Sequence, residues 1–466
     1  EANEGEMASD TDEKEDTIAT EDIKLEGAQE VDPNAMAAAQ EGAAEREAAY
    51  RAVLVSARDW VPVQLDGADG GSATAPTSTP AHIPGALDVQ VDSTTITRWK
   101  ERRGGELERM IATGAVALLD AKWVIRLARQ DGRFKPRQAL PDEAFLSLTQ
   151  VQAATAGLEL PVVCVSHPWL QPEHPDPHGH NLQTLARALE ALLEDELLCN
   201  GTAGVFYDFS SMHQKCRRAN GSAGDEIIGF DPSLRGGVGR YASEQALFTQ
   251  ALHDVSVLFS HPHTHVWKLT ELPPDYDHEL QYKQSGNRAP YEERGWCFCE
   301  QLLAEMMKSG YLVLDLGKIG SWVNFWDMQS VCSDVRRAPM LPSRVAAELQ
   351  NKSFTNGRDR PIVARIYAEG FAKRWGEVEE IDYSYLDWGD MEARLLGDVL
   401  RKIRAPNLKK ISLSLNSIGP EGTVALAEGV KGLKGLQALV LDRNEIGAEG
   451  AIGFAKRMKN MKALQY

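Results

Sequence analysis

The sequence lacks several features that mark common classes of protein. No apolar run approaches the roughly eighteen residues of a membrane-spanning helix, so no membrane span is predicted. No GxxxxGK[ST] motif occurs, so a P-loop nucleotide-binding module is not expected. The chain starts with glutamate and shows no apolar leader segment, so no secretory signal is predicted.

Cysteine is scarce, and its spacing matches neither a zinc-binding pair nor a small disulfide framework. One of the six cysteines, Cys164, lies inside a run that has the composition of a buried strand. Reduced thiols in a reducing compartment are the simpler interpretation. We therefore predict a cytoplasmic protein. We also expect that it requires no cofactor.

Clustered positive charge is also missing. The net charge is −18, and residues 1–50 carry sixteen acidic and three basic side chains, so the remainder is close to neutral. The most basic stretch, RWKERRGG at 98–105, precedes an amphipathic helical pattern and is interpreted as a solvated helix face. Without a Lys/Arg stripe to neutralise phosphates, nucleic acid is not an expected partner.

The N-terminal part divides into two segments by composition. Residues 1–44 are rich in Glu, Asp, Ala and Gly and poor in aromatics, which predicts a disordered acidic tail. Residues 45–160 show mostly helical patterns and a flexible Gly/Ser/Thr/Pro-rich loop near 66–84. We predict that this second segment supports an edge or face of a sheet that follows.

Four short apolar runs dominate residues 161–335: VVCVS at 162–166, GVFYD at 204–208, SVLFS at 256–260 and YLVLDL at 311–316. Continuous apolarity over so few residues is typical of strands that are buried on both faces. Segments with helical periodicity separate them, the clearest at 181–198. The expected fold is α/β, an open, mostly parallel, flavodoxin-like sheet flanked by helices.

Polar and aromatic residues lie directly after these predicted strands and at the start of the helix that comes next. In open α/β sheets the ligand crevice lies beyond the carboxyl ends of the strands, so we expect these side chains to converge there. The candidate pocket residues are Ser166, His167, Trp169, Asp208, Ser210, Ser260, His261, Arg294 and Trp296.

The segment from Tyr291 to Glu300 contains Trp-Cys-x-x-Glu at Trp296, Cys297 and Glu300. With the order of the preceding elements, it resembles the Toll/interleukin-1 receptor (TIR) domain and its heterokaryon-incompatibility (HET) relatives. The resemblance implies a module that acts by self-association. In enzymatic TIR domains the glutamate of this motif is catalytic in NAD glycohydrolysis, which implies Glu300 as the catalytic candidate and NAD as a possible substrate.

Histidines offer a third possibility, a metal-dependent hydrolase. His174, Asp176, His178 and His180 lie within seven residues, and His261, His263 and His265 alternate along the chain. If the two loops met above the sheet, they could hold zinc. The alternative is a rigid surface loop shaped by the neighbouring prolines, and no metal site is predicted.

The C-terminal part carries an internal repeat. Leu408, Ile411, Leu413 and Asn416 fit L-x-x-L-x-L-x-x-N, and the pattern returns 28 residues later at Leu436, Leu439, Leu441 and Asn444. It resembles ribonuclease-inhibitor-type leucine-rich repeats. We assign residues 336–400 to a helical connector and 401–466 to a truncated repeat array, in which each asparagine bonds backbone inside its turn.

Three functions remain open at this stage. The leading hypothesis is a signalling or scaffold protein that binds other proteins through its leucine-rich repeats and clusters through its TIR-like module. The second is an NAD glycohydrolase that uses Glu300. The third is the histidine-metal hydrolase.

Overall fold

A computed structural model describes residues 90–218, 227–230, 239–273, 289–318, 320, 322, 324–403, 405–459 and 461. All of them belong to one unit, residues 76–466. The predictions of a disordered acidic tail at 1–44 and of a flexible loop near 66–84 lie outside the described residues. Within the described ranges, no helix has the length and apolarity needed to cross a membrane.

Helices and strands are interspersed up to residue 332. The helices are α1 (Ser93–Glu101), α2 (Gly105–Ala112), α3 (Ala121–Arg129), α4 (Leu148–Ala153), α5 (His180–Leu193), α6 (Asp208–Ser211), α7 (Ala242–Ser260), α8 (Gly295–Met307) and α9 (Phe325–Cys332). The strands are β1 (Leu118–Asp120), β2 (Phe145–Leu146), β3 (Val162–Ser166), β4 (Gly204–Phe206), β5 (Cys216–Arg218), β6 (Ile227–Phe230), β7 (His265–Lys268) and β8 (Val313–Asp315).

Six of these strands form one sheet in the order β2-β1-β4-β3-β7-β8. The pairs β4–β3, β3–β7 and β7–β8 are parallel, whereas β1 runs antiparallel to both β2 and β4. The prediction of a mostly parallel sheet is therefore confirmed. The support region 45–160 contributes two strands to this sheet as well as helices.

One predicted strand is wrong. The run SVLFS at 256–260 forms the last turns of helix α7, and the strand that follows is His265–Lys268. Val255, Leu258 and Phe259 are buried on the inner side of that helix. A short apolar run looks the same in a buried helix as in a buried strand, so the pattern alone could not separate them.

Helices cover both faces of the sheet. On one face, α7 and α8 pack with helices that follow in the chain, around residues such as Phe259, Leu302 and Leu303. On the other face, α3, α5 and α9 enclose a second core that includes Leu185 and Trp267. The sheet is thus buried on both sides, which explains why its strands are continuously apolar.

The C-terminal part forms a short solenoid. Two helices, α10 (Pro342–Glu348) and α11 (Arg360–Glu377), precede it. Its own helices are α12 (Asp390–Lys402), α13 (Pro420–Val430) and α14 (Gly447–Met458). Its strands are β9 (Glu380–Asp382), β10 (Lys410–Ser412) and β11 (Ala438–Val440), parallel in the order β11-β10-β9. Ile381, Ile411 and Leu439 lie side by side across the three strands. The solenoid therefore begins inside the segment predicted to be a helical connector.

The repeat asparagines bond backbone as predicted. The Asn416 side-chain oxygen accepts from Leu386 N and Trp388 N, each at 3.0 Å, and its amide donates to Tyr383 O at 2.8 Å. Asn444 likewise accepts from Ile418 N at 3.0 Å. Each asparagine thus ties its own turn to the preceding unit.

Side chains of the first solenoid unit also bond the α/β part. The Trp388 indole donates to Arg336 O at 2.7 Å, and the Tyr383 hydroxyl donates to Met306 O, at the end of α8, at 2.7 Å. Both aromatic side chains are almost fully buried. The solenoid consequently shares a core with the helices on one face of the sheet.

Candidate functional site

A three-residue hydrogen-bond chain lies where β3 ends. Ser166 Oγ is 2.6 Å from Glu300 Oε2, and the Tyr291 hydroxyl is 2.7 Å from the same Ser166 Oγ. An ionised carboxylate only accepts, so Ser166 then donates to Glu300 and Tyr291 donates to Ser166. Ser166 and Tyr291 are buried, whereas Glu300 keeps partial exposure. This chain therefore ends on a residue that is itself partly exposed.

The environment of Glu300 favours its neutral form. Burial raises the pKa of its carboxyl to about 8, against the opposing effect of the Ser166 hydrogen bond, and the nearby Asp208 charge adds to the increase. Burial similarly raises the pKa of Tyr291 well above its ordinary value. A carboxyl group with a pKa of about 8 can donate a proton in its neutral form and accept one in its ionised form.

Asp208, which follows β4, is the centre of a second group at this edge. Its Oδ1 is 3.1 Å from His167 Nε2, and its Oδ2 accepts from the Trp169 indole at 2.9 Å. The His167 ring stacks on Tyr207 with their centroids 4.1 Å apart. Candidates that are far apart in the sequence therefore meet here, because β3 and β4 are adjacent parallel strands.

Three further candidates are engaged in structural contacts. Arg294 donates to Ala289 O and, at 2.7 Å, to Trp169 O, which connects the start of α8 to the loop after β3. Ser210 donates to Lys135 O at 2.8 Å. The Trp296 indole donates to Asp359 at 3.2 Å and so bonds the segment before α11.

Ser260 and His261 do not belong to this edge, and their assignment to the pocket is corrected. They end helix α7 and precede β7, so they lie at the amino ends of the parallel strands. Ser260 accepts from Arg374, and His261 Nε2 is 3.2 Å from Arg103 O. The error follows directly from the wrong strand at 256–260.

The two histidine groups are likewise separated. His263 is 2.8 Å from Glu159, and His265 is fully buried in β7, near the amino edge. The loop before α5 lies at the carboxyl side of β3, where His174 Nε2 is 2.8 Å from Phe134 O and Asp176 accepts from Leu182 N at 2.9 Å. His178 is exposed and His180 is half-buried. In the described part of the chain, no group of three His, Cys, Asp or Glu residues could hold a metal ion.

Sequence reasoning gave no role to Lys268, the last residue of β7. Its side chain is almost fully buried and donates to Asp334 at 2.6 Å, with Glu305 at 3.9 Å. Burial raises the pKa of Glu305, partly offset by Lys268. A lysine that ends the apolar run HVWK was the available signal, but the incorrect strand assignment obscured it.

The solenoid presents a second candidate surface on its strands. Glu380, Asp382 and Lys410 are exposed there, and Ser412 in the central strand is half-buried. Tyr385, in the turn after β9, is 55% exposed. This strand surface, defined by β9, β10 and β11 and the turns that follow them, offers polar and aromatic groups on a rigid frame.

Comparison with protein families identifies the solenoid. A family model described as Leucine Rich repeat matches residues 404–427 and 436–455. The C-terminal region thus contains two leucine-rich repeats, and the match lies entirely within the solenoid. No curated protein matches the chain.

Proposed function

We propose that this protein is a signalling scaffold that binds another protein through the strand surface of its leucine-rich repeats. The supporting observation is the repeat match together with a sheet whose outer residues are polar on β9 and β10, where Glu380, Asp382 and Lys410 are exposed. Parallel strands held by the backbone hydrogen bonds of Asn416 and Asn444 form a rigid frame, which lowers the entropy lost on binding. Repeats of this kind typically mediate protein binding.

A charge-and-size change at the centre of the strand surface tests this proposal. We expect Ser412→Arg to weaken binding of the partner at least tenfold, because the larger cation displaces whatever contacts β10. Glu449→Arg on α14 places the same cation on an exposed helix and serves as the control. A photo-reactive residue at position 412 would identify the partner. A partner that binds Ser412→Arg and wild type equally would contradict the proposal.

NAD glycohydrolysis is the second candidate function, and the chain Tyr291–Ser166–Glu300 favours it. Cleavage of a nicotinamide–ribose bond develops positive charge on the sugar, and a carboxylate beside it stabilises that charge. Glu300 would serve in its ionised form, which becomes the main form as pH rises through about 8. Glu300 accepts a hydrogen bond from Ser166, its pKa is influenced by the charge of Asp208, and the residue is partly exposed. These features support the TIR-like resemblance, as does the strand order β4-β3-β7-β8, which is that of flavodoxin-like sheets.

Turnover of NAD by the whole chain tests this second candidate. TIR-like modules are expected to act when clustered, so the protein is measured both free and tethered at high density. Release of nicotinamide that Glu300→Gln abolishes, and that Glu196→Gln on the exposed surface leaves intact, would support an enzyme. Clustered, folded protein that releases no nicotinamide would exclude this candidate.

The compartment is proposed on the state of the cysteines. Cys164, Cys199, Cys297, Cys299 and Cys332 are buried free thiols. Burial raises the pKa of Cys164 to about 12 and that of Cys199 to about 11, so neither forms a reactive thiolate near neutral pH. Five free thiols support a reducing compartment such as the cytoplasm.

A further inference from the structure

The charges of the strand surface are paired at one end. Where the strands begin, two lysines have acidic partners on the neighbouring strand. Lys409 Nζ lies 2.7 Å from Glu379 Oε2, and Lys410 Nζ lies 3.7 Å from Glu380 Oε2. The register places Lys410 opposite Glu380, so the two charges meet across the pair of strands. This end of the surface is therefore close to neutral and offers little net charge to a partner.

The other end of the strand surface carries negative charge that is not paired. Asp382 ends β9 and Asp442 lies in the turn after β11, and both residues are exposed. Within the described part of the chain, neither carboxylate forms an ion pair. Asp387 and Glu445 add negative charge in the turns, where Arg443 is the single cation among the described residues. A partner that approaches this end therefore meets a negative potential.

A row of serine hydroxyls connects the strands between these two carboxylates. Ser384 Oγ is 2.8 Å from Ser412 Oγ, which is 3.5 Å from Ser414 Oγ. Ser414 donates to Asp442 Oδ1 at 2.6 Å. Asp382 Oδ1 accepts from Ser384 N at 2.9 Å. Hydrogen bonds thus hold both carboxylates on strands that lie two spacings, or about 10 Å, apart.

Charge and spacing together select the chemistry of the partner. Acidic segments and phosphates are repelled, whereas a cation is attracted by both carboxylates. Arginine or lysine residues two to four positions apart in an extended segment are separated by about 7–13 Å, which matches the two carboxylates. The aliphatic stems of such residues suit Val440, which is half-buried opposite Ser412. Tyr385, 55% exposed, offers an aromatic ring to a guanidinium.

We propose that the strand surface binds a cationic segment of another protein, in which two arginine or lysine side chains bond Asp382 and Asp442. The serine hydroxyls between them bond polar backbone groups of that segment. The proposal rests on the scaffold function proposed above, which requires a protein partner at this surface, and adds the charge of that partner. Because the carboxylates are exposed, binding should weaken as the salt concentration rises.

Selection from a random dodecapeptide library on the full chain tests the proposal without assuming a partner. Counter-selection on the Ser412→Arg variant removes peptides that bind elsewhere, including those that bind the acidic residues 1–50. We expect the remaining peptides to carry at least two arginine or lysine residues and a net positive charge.

The double variant Asp382→Asn/Asp442→Asn should bind these peptides at least tenfold more weakly, because two charge-assisted hydrogen bonds become neutral ones. Each amide keeps an oxygen that accepts the bond from Ser384 N or Ser414 Oγ, so the frame is preserved. Glu196→Gln/Glu449→Gln removes the same charge at exposed sites outside the strand surface and should bind as wild type does.

The contrary results separate this proposal from the scaffold function. Peptides that require Ser412 but are neutral or acidic, or that bind the double variant as tightly as wild type, would overturn the cationic segment and leave the scaffold surface standing. If no peptide distinguished wild type from Ser412→Arg, both proposals would fail. The reversed pair Asp382→Lys/Asp442→Lys should select acidic peptides, and its selection of the same cationic ones would contradict the assignment.

Discussion

At the scale of single residues, Glu300 shows how a motif acquires its chemistry. The Trp-Cys-x-x-Glu motif identified Glu300 as a candidate, but it does not state what the carboxyl contacts. The structure supplies Ser166 from β3 and Tyr291 from the turn before α8 as a hydrogen-bond chain. Burial then raises the pKa of Glu300 to about 8, which a motif cannot reveal. Its catalytic role stays a prediction, whereas its protonation has a consequence for stability.

We expect Glu300 to make the free energy of unfolding decrease as pH rises from about 4.5 to about 8. The pKa of Glu300 is raised to about 8 in the folded chain and is near 4.5 in the unfolded chain, so the folded state binds more protons in this window. Glu300→Gln stays neutral and should lose this part of the slope. Between pH 5 and pH 9, the free energy of unfolding of Glu300→Gln should rise relative to that of wild type by at least about 1.4 kcal/mol, which corresponds to one pKa unit.

Urea denaturation of both proteins at several pH values measures this difference, and titrations common to both proteins cancel. Glu196→Gln, at an exposed site, should show the wild-type slope. Stability curves of wild type and Glu300→Gln that run parallel from pH 5 to pH 9 would mean that folding leaves the pKa of Glu300 unchanged.

At the scale of elements, close contact between repeat helices depends on glycine. A Cβ at Gly429 on α13 would lie 2.5 Å from Gly397 O on α12, and a Cβ at Gly397 would lie 2.6 Å from Ala425 O. The two helices therefore approach backbone to backbone. The contact brings the helical layer close enough for the leucines beneath it to fill the solenoid core.

Gly429→Ala should lower the free energy of unfolding by about 1–3 kcal/mol, because the methyl group forces the two backbones apart. Gly376→Ala is the matched substitution, since Gly376 lies in α11 and a Cβ there meets nothing within 4 Å. The free energy of unfolding of the Gly376→Ala protein should rise by about 1 kcal/mol through helix propensity alone. Chemical denaturation gives both values, and a stabilised Gly429→Ala protein would refute the close approach.

At the scale of the whole molecule, the solenoid and the α/β part stabilise each other. Two or three repeats rarely stand alone, because each unit buries its apolar face against a neighbour. Here Tyr383 and Trp388, in the first unit, bond Met306 O and Arg336 O and fill the junction. The guanidinium of Arg336 also donates to Asp382 O at 3.1 Å and lies over the Tyr383 ring.

We expect the two parts to unfold together in wild type. Trp388→Phe removes the indole hydrogen bond and some buried volume, and should cost about 1–3 kcal/mol. Hydrogen exchange under mild denaturant should then show β10 and β11 opening before β3. Tyr385→Phe, at an exposed position in the same unit, should leave the coupling intact. Separate transitions already in wild type would contradict a shared core.

The sequence by itself determined the class of the fold and the repeats. Runs at 162–166, 204–208 and 311–316 hold strands because strands buried on both faces must be continuously apolar. The leucine and asparagine spacing identified the solenoid, because the same residue fills the same place in every turn. These signals are local or periodic, so they can be read without knowledge of distant contacts.

Only the tertiary structure decided the rest. The run SVLFS forms a helix because its packing against the surrounding core, and not its own composition, decides between a buried helix and a buried strand. Ser260 and His261 therefore lie at the edge of the sheet opposite to the predicted one, and Lys268 is the last residue of β7. The first solenoid unit escaped detection because Leu386 lies where the later units have Asn416 and Asn444. Its strand is stabilised by pairing with β10, a contact between residues some thirty positions apart.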